Sequence, residues 1–195
     1  MKYIYLILFF ALLATTNIDA QDGAVDEISA ADGTTLEIPQ RGNTEARTSP
    51  NARVDQTIGT MRIHVRYGRP FVKGRTIFGD LVPYGNVWRL GANEATTVTF
   101  TDDVTFGDTE VAAGTYALFA KPMKDSWEFI LNSQAAQWGA YDRDPSKDFA
   151  TVSVTPSSTE HTEMFTIGFT DVSATSAHLV AKWAETEAAV PISLQ

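Results

Sequence analysis

The seven residues Met61-Arg62-Ile63-His64-Val65-Arg66-Tyr67 form the cleanest alternating run in the chain. Successive side chains of a strand point to opposite faces, so Ile63, Val65 and Tyr67 share one face and Arg62, His64 and Arg66 the other. On a helix of about 3.6 residues per turn the same apolar positions would scatter around the axis. The run therefore specifies a half-buried strand with a basic outer face, closed by Gly68 and Pro70.

Such a strand needs partners, and the rest of the chain supplies them in short pieces. Val54 to Ile58 precedes Gly59. Thr97 to Thr101 leads to Val104-Thr105-Phe106, and Gly107-Asp108 reads as a hairpin turn. Tyr116 to Ala120 and Trp127 to Leu131 follow, then Thr151 to Thr155, Glu163 to Thr170 and Ala177 to Ala184. A single turn of helix at Ser133 to Gln137 is the most helix the pattern allows. About eight to ten short strands with frequent turn signals predict an all-β chain, a single antiparallel β-sandwich with a jelly roll among its possible forms.

Export sets the boundary conditions. Lys2 is followed by an apolar run from Tyr3 to Ala14, and Ala20 offers a small residue before Gln21. Residues 1–20 read as a signal peptide, too short in apolar length for the roughly 20 residues of a bilayer span. With 0 cysteines, disulfides, thiol catalysis and thiolate metal sites are excluded. The expected location is periplasmic or secreted. Residues 21–48 are polar and acidic and read as a flexible linker, with room for a short strand at Thr35 to Ile38. The sandwich is expected over 49–187, with a tail over 188–195 that is mobile unless Val190 to Leu194 docks. A net charge of -9 argues against nucleic acid, which needs a basic surface.

Three groups of residues carry chemistry. Tyr84, Trp88, Arg89, Asn93 and Glu94 crowd one stretch with the turn glycines Gly85 and Gly91. An arginine and a carboxylate can orient a polar ligand while an indole stacks on a flat one; equally, Arg89 can pair with Glu94 to staple a loop. Arg62, His64, Arg66, Arg69, Lys73 and Arg75 form a basic set suited to an anion such as a carboxylate, phosphate or acidic glycan, or to a solvated strand face. Trp138, Tyr141, Asp142, Asp144 and Asp148 lie in the longest irregular segment, where binding residues concentrate. Asp142 and Asp144 lack the glycine and distal glutamate of a calcium loop, and no cofactor or metal is expected. His64, His161 and His178 stand in no zinc or serine-triad motif.

The ordered motifs Ser49-Pro50, Gln56-Thr57-Ile58-Gly59, Tyr67-Gly68-Arg69-Pro70, Lys73-Gly74-Arg75 and Ile77-Phe78-Gly79 continue through Leu81-Val82-Pro83-Tyr84-Gly85 and Val87-Trp88-Arg89. They end with Gly91-Ala92-Asn93-Glu94-Ala95-Thr96, Ala113-Gly114-Thr115-Tyr116 and Gln137-Trp138-Gly139-Ala140-Tyr141-Asp142. From about Ser49 to Trp183 the chain resembles a family of exported bacterial proteins, common in Bacteroidota, catalogued as a domain of unknown function. The resemblance implies no catalytic residue. Some relatives carry the label asparagine synthetase B, but such an enzyme needs an N-terminal cysteine and a Ser-Gly-Gly phosphate loop, and this chain has neither.

The expectation is a non-catalytic module of the cell envelope that binds a glycan or peptide through Arg69, Lys73, Arg75, Tyr84, Trp88, Arg89, Asn93, Glu94, Trp138, Tyr141 and Asp142. A glycan hydrolase using Glu94 or Asp142 as acid or base is the alternative, and a structural or assembly protein is the third.

Overall fold

Ile58 and Met61 face each other across a two-residue turn, Gly59-Thr60, that closes the first long hairpin. Gly59 takes a φ of 57, as the tight turns that match strand twist require. The computed structural model describes residues 25–42 and 47–195, so the expected signal peptide lies outside the described residues. The hairpin joins β3 (Asn51–Ile58) to β4 (Met61–Gly68). Ile63, Val65 and Tyr67 are buried as the alternation predicts.

The described chain contains β1 (Val25–Ser29), β2 (Thr35–Pro39), then β3, β4 and β5 (Thr96–Phe100). After them come β6 (Val104–Phe106), β7 (Thr109–Val111), β8 (Gly114–Pro122), β9 (Trp127–Asn132), β10 (Asp148–Val154), β11 (Ser157–Thr170) and β12 (Ser176–Leu194). One sheet has the order β10-β9-β8-β5-β4-β3 and the other β11-β12-β6-β7. All their ladders are antiparallel. The chain crosses between sheets after β5, after β7 and after β10.

Between the sheets lies one apolar core. Phe100, Trp127 and Phe129 from the larger sheet join Phe106, Phe165 and Trp183 from the smaller. This is the expected β-sandwich, with more strands than expected and two long ones. A helical turn was expected at Ser133 to Gln137; the described residues place it at Pro145–Lys147, where the Asp144 carboxylate accepts from the Ser146 N–H and caps it.

Two segments differ from the sequence reading. Residues 188–194, expected as a tail that is mobile unless Val190 to Leu194 docks, continue β12, and Ile192 to Leu194 pair with β6. Ala188, Val190 and Ile192 are buried at alternate positions, so the segment completes the core. Part of the expected flexible linker forms the β1–β2 hairpin, in which β2 takes the short strand allowed at Thr35 to Ile38 and β1 is unforeseen. That hairpin lies on the outer face of β5 and β8 and covers Arg66, whose guanidinium pairs with Asp26. The outer face of β4 is therefore roofed, not wholly solvated.

Candidate functional site

The connection from β4 to β5 lies across one side of the sandwich and carries most of the candidate residues. Arg69 leaves β4 and reaches the smaller sheet. Its Nε donates to the Phe165 carbonyl at 3.0 Å and its Nη2 to Thr166 Oγ1 at 2.8 Å. A tight turn follows, with Lys73 and Gly74 at φ 50 and 66. Glu163 Oε1 accepts from the Lys73 amide at 2.9 Å, and Arg75 Nε donates to the Val72 carbonyl at 3.0 Å.

Trp88 ends the approach and enters the core. Its indole stacks on Trp183, ring centroids 5.7 Å apart, and meets Phe165 edge-on at 5.1 Å. Phe78 and Trp127 close the other sides. Its Nε1 donates to the Gly91 carbonyl at 3.0 Å, and its backbone pairs with Ala120 of β8. At 9% exposure this ring cannot stack on a sugar; it welds the two sheets.

Residues 89–95 then arch back to β5. Leu90 and Asn93 hold φ of 48 and 64, and Gly91 holds 155. The arch passes close to Gly68: a Cβ there would lie 2.3 Å from the Ala92 carbonyl oxygen. From above, Arg41 clamps the arch. It donates to the carbonyls of Ala92, Glu94 and Ala95 at 2.6, 3.0 and 2.9 Å.

Glu94 serves this clamp. Arg47 Nη1 and Nη2 donate to its two oxygens at 2.8 and 3.0 Å, and Arg41 lies 3.2 Å away. Burial pushes its carboxyl up, but the Arg47 hydrogen bonds, together with a backbone bond and both arginine charges, outweigh that and hold it below the ordinary 4.5. Arg41 is pushed down to about 10, by burial first, against the opposing pull of Glu94. It remains charged at pH 7. The expected Arg89–Glu94 staple is replaced by Arg41 and Arg47, both from the segment read as linker.

Arg89 is left without a carboxylate among the described residues. It lies 5.8 Å from the Tyr141 ring centroid, and its Nε is buried with no hydrogen-bond acceptor. It lines a cavity of about 320 Å³ with Lys73, Arg75, Asn93, Trp88 and Trp183. No Asp or Glu among the described residues contributes to that lining. Trp183 Nε1, like Arg89 Nε, is a buried donor without an acceptor.

A second cavity of about 240 Å³ shares Leu81, Val82, Trp88 and Arg89 with the first and adds Val87, Ala140 and Tyr141. The loop after β9 is thus brought to the Trp88 segment, and Ala95 N–H donates to the Gln137 carbonyl at 3.1 Å. Tyr141 is 78% exposed and Trp138 57%. Trp138, Tyr84 and Asp142 are exposed and line neither cavity. Asp144 is occupied as a cap, and Asp148 pairs with Arg143 and accepts from Asn132 at 2.7 Å.

The structure therefore gathers Lys73, Arg75, Arg89 and Asn93 at one cavity and brings Tyr141 beside it. It assigns Trp88, Arg69 and Glu94 to architecture. Sequence reasoning missed Arg41, Arg47 and Trp183. Two arginines in an otherwise acidic linker were the available signal for the first two; for Trp183 there was none, because strand alternation places it in the core without saying what it faces.

Residues 49–192 match the model of a family described as protein of unknown function (DUF2911). No curated protein and no solved structure gives a significant match.

Proposed function

The chain belongs to the DUF2911 family, and since that description names no activity we propose, from the site itself, that it is a non-catalytic module binding a carboxylate-bearing glycan. The single observation behind this reading is a cavity rich in donors and, among the described residues, free of acids. Lys73, Arg75 and Arg89 line it without a carboxylate among the described residues. In a chain of net charge -9, such a cavity selects anions locally.

The expected signal peptide supports an address in the cell envelope or outside the cell. Exposed aromatics beside a guanidinium suit a sugar ring that carries a carboxylate. The hydrolase reading is weaker: Glu94 is held ionised by two arginines, which disfavours its use as a general acid, and it does not line the cavity.

Calorimetry against galacturonate and neutral glucose oligosaccharides tests the proposal. Binding is expected for the acidic set alone, and Arg89→Met should weaken it about tenfold or more, the worth of a charged hydrogen bond. No binding of acidic oligosaccharides at millimolar concentration would overturn the reading. Preference for a peptide C-terminal carboxylate would replace the glycan with a peptide.

A further inference from the structure

We infer that the ligand is an extended chain lying across both cavities, with one carboxylate held at Arg89 where they meet; this rests on the glycan-binding reading above. The two cavities are neighbours that share Leu81, Val82, Trp88 and Arg89. Arg89 is the only charged residue common to both linings. Its guanidinium approaches the Tyr141 ring on the second side, while Lys73, Arg75 and Asn93 serve the first.

The two sides differ in chemistry. The first is cationic and bounded by Trp88 and Trp183. The second has Arg89 as its only ionisable cation and is walled by Pro83, Val87, Ala140 and Tyr141. Tyr141 is 78% exposed, so its face is free to stack on a ring. A monomer acid would engage Arg89 and one side only. A chain would place an acidic unit in the cationic side, a carboxylate at Arg89 and the next ring against Tyr141. Contacts to the second unit are then made without a second association cost, so affinity should rise with length.

The test compares galacturonic acid with its di-, tri- and tetrasaccharides by calorimetry on the intact chain and on Tyr141→Ala. The exposed position makes that variant safe for folding. Affinity is expected to rise about tenfold or more from monomer to trisaccharide and then level off. Tyr141→Ala should remove most of that rise, weakening the trisaccharide far more than the monomer. Monomer binding that does not strengthen with length, or a length effect untouched by Tyr141→Ala, overturns the two-sided site while the anion-binding reading stands. Failure of every acid to bind overturns both.

Discussion

The Arg41 guanidinium lies 3.2 Å from the Glu94 carboxylate, with side-chain exposures of 6% and 18%. The pair ties residues before the family domain to the arch that carries Arg89 and Asn93. Arg41 also satisfies three carbonyls of that arch. Removing it leaves an acid with less compensation and three acceptors without their donor. Arg41→Ala is expected to cost about 3 kcal/mol in urea unfolding, whereas Arg47→Ala, a more exposed partner, should cost about 1 kcal/mol.

The same pair gives a pH signature. The carboxyl of Glu94 sits below its ordinary 4.5 when folded. A depressed acid contributes stability that is fully present above the unfolded value and lost as pH falls through the folded one. Unfolding free energy is therefore expected to decline below about pH 4.5, and Glu94→Gln should flatten part of that decline. A wild-type-like slope in the variant would show that other acids dominate.

Gly68 and Ala92 are packed backbone against backbone. A Cβ at Gly68 would meet the Ala92 carbonyl oxygen and carbon, which are backbone and cannot swing away, and the Arg41 guanidinium that bonds to that carbonyl. Gly68→Ala is thus expected to destabilise by about 3 kcal/mol and to shift the arch that positions Arg89. Gly74→Ala is the control: unlike Gly68 it has a positive φ, 66, and open space around it, so it should cost only about 1 kcal/mol of backbone strain. Equal losses in the two variants would count against the close approach as the cause.

These contacts show which parts of the molecule could be read from its sequence. Met61 to Tyr67, the Gly59 turn and the Gly107-Asp108 turn were legible because period and turn chemistry are local. The end of β12 reads only as a segment that could dock from Val190 to Leu194, although Ala188, Val190 and Ile192 alternate, because Pro191 and the acidic Glu185 and Glu187 mask the pattern. Pro191 fits because its carbonyl still accepts from Gly107 N–H at 2.8 Å. Trp88 was singled out correctly as central, but exposure is a long-range property. Whether an indole faces a ligand or another sheet depends on Trp183 and Phe165, far along the chain. For the same reason Arg89 was paired with its neighbour Glu94, when the actual partners of Glu94 come from 41 and 47.

His161 is clamped between two acids at the surface. Its Nδ1 is 2.7 Å from Glu185 and its Nε2 3.2 Å from Glu163. The Glu185 contact is the larger cause, and together they raise the imidazole above its ordinary 6.5. A raised base favours folding below its unfolded value, and that contribution is lost as pH rises through the folded one. An NMR titration should place the His161 midpoint above 6.5. Glu185→Gln should lower it more than Glu163→Gln, and the reverse order would contradict the geometry.

The last seven residues of β12 offer the sharpest test of the fold. Val190 and Ile192 are 0% exposed and Ala188 1%, and Ile192 pairs with Phe106. Full burial of a Val or Ile side chain contributes about 1.5–3 kcal/mol. Losing two, with the β6 ladder, removes about 5 kcal/mol from a total that is typically about 5–15. A chain ending at Glu187 is therefore expected to lose cooperative unfolding, while Gln195 deleted alone should change little. Circular dichroism melts of the two truncations decide the matter. A cooperative, near wild-type transition in the shorter chain would mean that this segment does not complete the core.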